Sequence, residues 1–275
     1  MISERELRQV AARSGLGVGP CEHEYVLLCV LDVLGQTPPL ADTFCLKGGT
    51  ALRLVHFDDW RHSVDLDFSV LPAFPANELQ TLVAAWFDRV TARHGVELQL
   101  VDFHRANGAA RLRARYVAPL RHPARLLFDI TLDEPVLLSP RRYPVVVSPF
   151  PGLRPMVLTY ELEEVLAEKM RSIIQRGKAR DYYDVWRLLD EKRNALDVVR
   201  TRSILGQKCR HKQLPEPQPE DFLQPGLLAE AEMYWKRDLA GQVAGRDLPD
   251  WDRVVKEMPV LLADFFGKAV FPSPP

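Results

Sequence analysis

LKGGTALRLVHFDDWRHSVDLDFSV occupies residues 46–70, and it is the most informative stretch of the chain. It begins with a glycine turn at Gly48–Thr50, and Asp65 follows Thr50 by fifteen residues, with Asp67 two positions later. Successive side chains of an extended strand point to opposite faces, so the two aspartates are predicted to share one face of a strand. The residues predicted to pack on the opposite, inward face are Val64, Leu66, Phe68 and Val70.

Two carboxylates at this spacing are predicted to need a cation or full hydration. They lie roughly 6.5–7 Å apart and repel by about 2–3 kcal/mol at an effective dielectric near 20. Oxygen-only ligands suit magnesium or manganese, which accompany nucleotide phosphates. Backbone N–H groups at Gly48–Thr50, at the start of a short helix, are able to hold a triphosphate. Each motif alone is more often a solvated strand or an ordinary turn, but their order and spacing favour a metal and nucleotide site.

Several short motifs resemble those of the AbiEii/AbiGii toxin family of nucleotidyltransferases, and they span residues 46–190, about half of the chain. These motifs are KGGTAL at 47–52, RHSVDLDF at 61–68, Glu168-Lys169, and RDYYD at 180–184. A glycine turn, a short helix and a strand with two aspartates form the active-site opening of the superfamily. The usual serine after the glycines is Thr50 here, which keeps the hydroxyl.

The resemblance implies both a fold and an activity. The expected fold is α+β, with a nucleotidyltransferase-type mixed sheet, flanking helices and a C-terminal helical domain. The expected enzyme moves a nucleoside monophosphate from an NTP to an acceptor and releases pyrophosphate, as the toxin of a type IV toxin–antitoxin or phage-defence pair. The expected partners are the NTP with Mg²⁺ or Mn²⁺, an RNA acceptor (the 3′ end of transfer RNA), and a cognate antitoxin.

Residue roles follow from the motifs together with this resemblance. Asp65 and Asp67 are expected to hold the metal. The expected nucleotide-binding residues are Lys47, Gly48, Gly49, Thr50, Lys169 and Arg180. Asp184 is expected to act in the active site, either paired with Lys169 or positioning the base or ribose.

A third carboxylate is predicted on a later strand. In RLLFDITL, residues 125–132, the alternation places Asp129 opposite the apolar face. Members of the superfamily carry a third strand aspartate as metal ligand or base, and Asp129 matches that role better than Asp133. The alternative is a surface aspartate on an edge strand.

Lys169 is predicted to lie on the apolar face of a helix over roughly residues 159–176. Burying an unpaired ammonium is unfavourable, so the lysine needs a partner or a cavity. Either it extends its ammonium to water, or it is aimed at nucleotide phosphates. In the next helix, Asp181 and Asp184 are three residues apart and share a face. A helix-capping role remains an alternative for Asp181.

A run of arginines without acidic neighbours lies between Asp102 and Asp129. Arg111, Arg113 and Arg115 alternate along a strand and are predicted to share one face. Such a row is either a solvated surface or a strip that follows an RNA backbone. The sequence favours neither.

The chain of 275 residues can form one large domain or two modest ones. The patterns predict a catalytic α+β domain at residues 1–150 and a mainly helical domain at residues 151–275 that contributes active-site residues. The predicted helices are 2–14, 22–36 and 79–94, and the predicted strands are 44–47, 96–103, 111–118 and 125–132. The last three strands, with a turn at Asn107-Gly108, are predicted to form an antiparallel meander, and the final FPSPP to fray.

Composition narrows the class of protein. The net charge is −1, so the chain has no global basic field, and RNA contacts must come from local patches. The four cysteines have no metal-binding spacing and are predicted to be buried, reduced thiols. No signal peptide or membrane-length apolar run is visible, which predicts a cytoplasmic protein without membrane association.

Two other functions stay open. The chain could be a non-catalytic nucleotide or RNA sensor on the same fold, although the three strand carboxylates argue against a decayed site. It could instead modify a protein side chain, because no acceptor motif is readable.

Overall fold

The computed structural model describes residues 1–106, 108–146, 148–243 and 248–268. The chain forms two compact units, Met1–Tyr160 and Glu161–Pro275. The division therefore lies ten residues after the predicted position near residue 150, because one further strand joins the sheet of the first unit.

A seven-stranded mixed sheet forms the centre of the first unit. The strands are β1 Phe44–Lys47, β2 Asp65–Val70, β3 Glu97–Ala106, β4 Ala109–Val117, β5 Ala124–Thr131, β6 Arg141–Pro144 and β7 Met156–Thr159. Their order across the sheet is β3-β4-β5-β2-β1-β7-β6. The pairs β2–β5 and β1–β7 are parallel, and the remaining pairs are antiparallel. The predicted α+β class and the antiparallel meander β3-β4-β5 are confirmed.

Five helices accompany this sheet in the described part of the first unit. They are α1 Glu4–Ser14, α2 Val18–Leu34, α3 Leu40–Thr43, α4 Gly48–Ala51 and α5 Leu79–His94. The predicted bounds of α5 and β1 are confirmed. Helix α2 starts earlier than residue 22, because Pro20 in its first turn needs no backbone donor and is tolerated there.

Aromatic side chains fill the space between the sheet and α5. The Trp86 ring lies 6.3 Å from Phe68 on β2 and 5.6 Å from Phe128 on β5. Its indole N–H donates to the Val30 carbonyl at 3.0 Å, which ties α5 to α2. Because this apolar face of β2 and β5 is fully packed, the alternate residues of both strands are directed to the opposite face.

All regular secondary structure in the described part of the second unit is helical. Its helices are α6 Leu162–Arg176, α7 Ala179–Asp190, α8 Val198–His211, α9 Pro225–Leu239 and α10 Trp251–Phe266. The Pro-rich segment at residues 212–226 contains a short 3₁₀ turn at Pro219–Phe222, and Pro225 occupies the first turn of α9, where proline is tolerated. Asn107 and the predicted frayed tail lie outside the described residues.

No helix within the described ranges is both long and apolar enough to span a lipid bilayer.

Candidate active site

The polar face of β2 carries the two aspartates of the motif. Asp65 and Asp67 are half-buried, whereas Leu66 and Phe68 between and after them are fully buried. The predicted alternation is therefore confirmed for residues 65–68. Ser69, the next residue on the face of the aspartates, is fully buried and accepts a hydrogen bond from the Tyr160 hydroxyl. Val64 is the exception: it precedes β2 and is 44% exposed, so the prediction that it packs inward was wrong. The strand begins one residue later, so the alternation does not extend back to this side chain.

Strand register places four charged residues in one line across the sheet. Lys47 on β1 is opposite Asp67 on β2, Asp67 is opposite Asp129 on β5, and Asp129 is opposite Arg111 on β4. We call these four residues the charged row. Neighbouring strands lie roughly 4.8 Å apart, so the row sets the two carboxylates side by side with a cation at either end.

Arg111 binds Asp129 directly. Its Nε donates to Oδ1 at 2.7 Å, and the two side chains are 72% and 48% exposed. The bond and the charge of Asp129 raise the pKa of the guanidinium. The predicted arginine strip is therefore not free of acids, because β5 supplies an acid that the sequence of β4 does not show.

The other two arginines of β4 differ from Arg111 in their neighbours. Arg111, Arg113 and Arg115 are all exposed on one face, as predicted. Arg113 lies between Asp102 on β3 and Leu127 on β5, and Arg115 lies between Gln99 and Arg125. The row of arginines therefore meets acids at two of its three positions.

Lys47, at the other end of the charged row, is buried. It is 6% exposed, and its Nζ donates to Thr131 Oγ1 at 3.1 Å. The ammonium also lies 5.8 Å from the centre of the Tyr160 ring. The protein therefore holds this cation in place, in contrast to the exposed guanidinium at the other end.

The glycine turn lies directly against the charged row. Gly48 has φ +71°, a conformation that residues with a side chain rarely adopt. A methyl group there would also clash with the carboxylate of Asp67. At Gly49 a methyl group would meet Arg61 Nη2 at 2.9 Å and Ser63 Oγ at 3.0 Å. Glycine is thus required at position 48 by its backbone conformation, whereas a side chain at position 49 would push Arg61 and Ser63 away from the turn.

Thr50 connects the glycine turn to β2. The residue is fully buried, and its hydroxyl donates to the backbone carbonyl of Asp65 at 2.5 Å. The hydroxyl therefore fastens the short helix α4 to the start of β2 and positions Asp65. A contact of Thr50 with nucleotide stays a prediction.

Helix α2 supplies polar contacts that sequence reasoning missed. His23 Nε2 lies 2.8 Å from the Val64 carbonyl, and Glu24 Oε2 lies 3.0 Å from His62 Nδ1. Burial raises the pKa of Glu24, but the bond to His62 and the charge of Arg53 outweigh it and lower that pKa. Burial lowers the pKa of His23. These contacts fix the segment directly before β2.

That segment contains two further candidates, Arg61 and Ser63. Arg61 is only 3% exposed, and its Nη1 donates to the His62 carbonyl at 3.2 Å. Its guanidinium and the Ser63 hydroxyl are the groups nearest to Gly49. The sequence signal was the run RHS ahead of the two aspartates, which contributed to the family resemblance but received no individual roles.

In the second unit, Lys169 forms a buried ionic cluster. Its Nζ lies 3.0 Å from Asp181 Oδ1 and 2.8 Å from Asp184 Oδ2, and both aspartates are fully buried. Arg176 Nη2 lies 3.0 Å from the other oxygen of Asp181. Lys169 therefore has carboxylate partners, one of which is Asp184, and its ammonium does not extend to water. Asp181 is a member of this cluster, and Lys178, not Asp181, is the capping residue of α7.

Opposing effects set the ionisation of Asp181. Burial raises its pKa, but the charges of Lys169 and Arg176 and the bond from Lys169 outweigh burial. The pKa of Asp181 is therefore lowered, and the carboxylate is held ionised. Arg180, also predicted to bind nucleotide, is half-buried at the start of α7.

The carboxylates of β2 have the chemistry that a hard divalent cation requires. Within the described ranges, no three His, Cys, Asp or Glu side chains are grouped closely enough to hold a metal ion. Asp65 and Asp67 nevertheless present half-exposed oxygens on one face, beside the glycine turn. Mg²⁺ is usually bound by one or two carboxylates, with substrate phosphates and water completing its shell, and this donor set fits that pattern. The four cysteines are buried free thiols, as predicted.

Comparisons with known proteins give the family of the chain and a solved structure of similar fold. The model of the family described as "Nucleotidyl transferase AbiEii toxin, Type IV TA system" matches residues 32–257. Among solved structures, the chain is similar to MenT4, a nucleotidyltransferase toxin from Mycobacterium tuberculosis H37Rv, with a TM-score of 0.67. The two share 20% identity over 96% of this chain and 90% of that one, so the likeness concerns the fold. No curated protein matches the sequence.

Proposed function

Because the chain belongs to the AbiEii family of nucleotidyltransferase toxins, we propose that it transfers a nucleoside monophosphate from an NTP to RNA and releases pyrophosphate. The expected acceptor is the 3′ end of transfer RNA. The observation that carries the proposal is the contact between the Asp67 carboxylate and the glycine turn at Gly48. It brings a carboxylate to the backbone at the start of a short helix, where N–H groups suit a triphosphate with its metal.

Asp65 and Asp67 are proposed to hold Mg²⁺ or Mn²⁺. The bound ion would act as a Lewis acid and neutralise negative charge on the triphosphate. Thr50 keeps Asp65 in place through its backbone carbonyl, and Lys47 lies opposite Asp67 in the charged row. A fixed ammonium at this position reduces the repulsion between the neighbouring carboxylates, so the protein holds them together before substrate arrives.

Asp129 is proposed as the third carboxylate of the site. It lies opposite Asp67, and its second oxygen can accept the proton of the attacking hydroxyl or join the metal shell. Either role places the acceptor hydroxyl over the polar face of β2 and β5. That face is half-exposed, so a macromolecular acceptor can reach it.

The triphosphate is proposed to lie against the backbone of Gly48 and Gly49. Arg61 and Ser63 are close to Gly49, and their guanidinium and hydroxyl groups suit phosphate oxygens. Lys169 is proposed to offset charge on the transferring phosphate, as the family resemblance implies. Asp181 and Asp184 take two of its three N–H donors and so orient the third. Arg180 is proposed to assist at the nucleotide.

Arg111, Arg113 and Arg115 are proposed to contact the RNA backbone. Their side chains share an exposed face of β4, which continues from Asp129 on β5. With a net charge of −1, the chain has no general attraction for RNA, so a local patch must supply the phosphate contacts.

The direct test incubates the purified chain with each labelled NTP, Mg²⁺ or Mn²⁺, and total cellular RNA. Label in the transfer RNA band together with pyrophosphate release supports the proposal, and the Asp65→Asn variant is the matched inactive control. Label in a protein band would favour modification of a protein side chain. Nucleotide binding by calorimetry without pyrophosphate release would favour the sensor function.

As a toxin, the chain is proposed to act in the cytoplasm, where NTPs and transfer RNA are found, and to be countered by a cognate antitoxin. Its production in a bacterial host is expected to arrest growth. The Asp65→Ala variant at equal protein level should relieve the arrest. Equal arrest by that variant would remove catalysis as the cause of toxicity.

A further inference from the structure

The RNA contact proposed for Arg111 does not explain its place in the charged row. Its Nε donates to Asp129 Oδ1 at 2.7 Å, so one oxygen of the third carboxylate is already bound by the protein. Arg111 therefore holds one of the three carboxylates of the proposed site.

The two cations of the charged row differ in their freedom to move. Lys47 is 6% exposed and is held by Thr131, so it stays in place. The Arg111 side chain is 72% exposed, and ion pairs between exposed groups are weak. A divalent cation arriving at Asp129 would displace the weakly held guanidinium and leave the buried ammonium where it is.

We propose that Arg111 is a displaceable counter-ion of the carboxylate site, which holds Asp129 beside Asp67 in the metal-free protein and competes with a divalent cation for Asp129. The proposal rests on the metal site of the proposed function. It makes Arg111 a positioning residue, with a role separate from any RNA contact by Arg113 and Arg115. The arginine sets the metal affinity of the free enzyme below the value that the carboxylates alone would give.

Arg113 is a matched control on the same strand. It has the same charge, is exposed on the same face, and lies two residues further along β4. Its neighbour on β5 is Leu127 instead of an aspartate. Both Arg111→Gln and Arg113→Gln remove one positive charge near the site, but only the first frees an oxygen of Asp129.

The experiment titrates the full-length chain with Mn²⁺ alone and measures unbound Mn²⁺ by electron paramagnetic resonance, without nucleotide or RNA. Arg111→Gln is expected to bind Mn²⁺ up to about fivefold more tightly than wild type, which corresponds to the upper range for exposed ion pairs. Arg113→Gln should change the affinity less. In an Asp129→Asn background, Arg111→Gln should change the affinity no more than Arg113→Gln does.

Each result has a defined meaning. Equal Mn²⁺ affinity in wild type and Arg111→Gln, or equal gains in Arg111→Gln and Arg113→Gln, would overturn this inference and leave the metal site standing. Weaker binding by Arg111→Gln would also overturn it, because the arginine would then assist the metal. A wild-type chain and an Arg111→Gln variant that both bind no Mn²⁺ would overturn the inference together with the metal site of the proposed function.

Discussion

The charged row and the Lys169 cluster use the same residue types in opposite surroundings. In the charged row, Asp129 and its partner Arg111 are 48% and 72% exposed. In the Lys169 cluster, the lysine side chain is 10% exposed, and Asp181 and Asp184 are fully buried. Water can replace a lost partner in the first region but not in the second. Substitutions in the charged row should therefore change mainly activity, and substitutions in the Lys169 cluster should change mainly stability.

The difference follows from solvation. An exposed ion pair contributes about 0–1 kcal/mol, because water competes for both partners. Removing one partner of a buried pair costs about 3–5 kcal/mol, because the remaining charge is left without compensation. A catalytic site needs carboxylates that can exchange partners with metal and substrate, and the charged row provides this. The buried cluster fixes one ammonium in one orientation.

The largest loss of activity without a loss of stability is expected from Asp67→Asn in the charged row. Nucleotide transfer should fall by roughly a thousandfold or more, since the lost carboxylate is one that holds the cation which neutralises charge on the reacting phosphates. The metal-free melting temperature should hold or rise, because repulsion between Asp67 and Asp129 is relieved. Transfer kinetics and a thermal melt on the same preparation check both parts. Full activity in the pure variant would remove β2 from the chemistry.

A large loss of stability is expected from Lys169→Met in the buried cluster. The variant leaves two buried carboxylates without their shared cation, so the free energy of unfolding should drop by about 3–5 kcal/mol. Adding Asp181→Asn and Asp184→Asn should recover part of the loss. Urea denaturation measures these differences, and Arg111→Gln is the exposed control, with a loss of no more than about 1 kcal/mol. Equal losses in Lys169→Met and Arg111→Gln would show that burial does not separate the regions.

Turnover of a folded Lys169 variant tests its proposed phosphate contact separately. If the ammonium acts on the transferring phosphate, kcat should fall sharply at a temperature well below the melting transition. A kcat unchanged from wild type would restrict Lys169 to a structural role. In that case the charged row would serve catalysis alone and the Lys169 cluster would serve stability alone.

A pH dependence should be visible for the buried cluster. The pKa of Asp181 is lowered below its ordinary value of 3.8, so its stabilising contribution is fully present above that value. It is lost as the pH falls through the lower, folded-state pKa. The difference in unfolding free energy between wild type and Asp181→Asn should therefore be constant near neutral pH and shrink below about pH 4. A difference that stays constant into strong acid would contradict the ionised state of Asp181.

The smallest effect is expected at the far end of the arginine strip. Replacing Arg113 and Arg115 by glutamine should weaken RNA binding and reduce the salt slope by up to about two counterions. Mn²⁺ binding at Asp65 and Asp67 should be spared. Filter binding over a range of salt concentrations measures the slope, and an unchanged slope would mean that the strip is an ordinary solvated face.

Local pattern was sufficient for much of the fold. The bounds of β1 and α5, the meander β3-β4-β5 and the alternation within β2 and β5 follow from periodicities of two and 3.6 residues, which short segments carry by themselves. The turn at Gly48 was also predictable from the sequence, because a positive φ and a close approach to a carboxylate both favour glycine. Val64 was misplaced because periodicity does not show where a strand begins.

Order and spacing along the chain were enough to identify the family, the fold class and the two aspartates on one face of β2. Which charges meet, in contrast, depended on how the strands and helices assemble. Strand register brought Arg111 to Asp129 and Lys47 to Asp67, and helix packing enclosed Asp181 with Lys169. The contacts of α2 with the segment before β2 arose in the same way. The physical reason is that a side chain's periodic position fixes its face, whereas its partner and its exposure to water depend on segments distant in sequence.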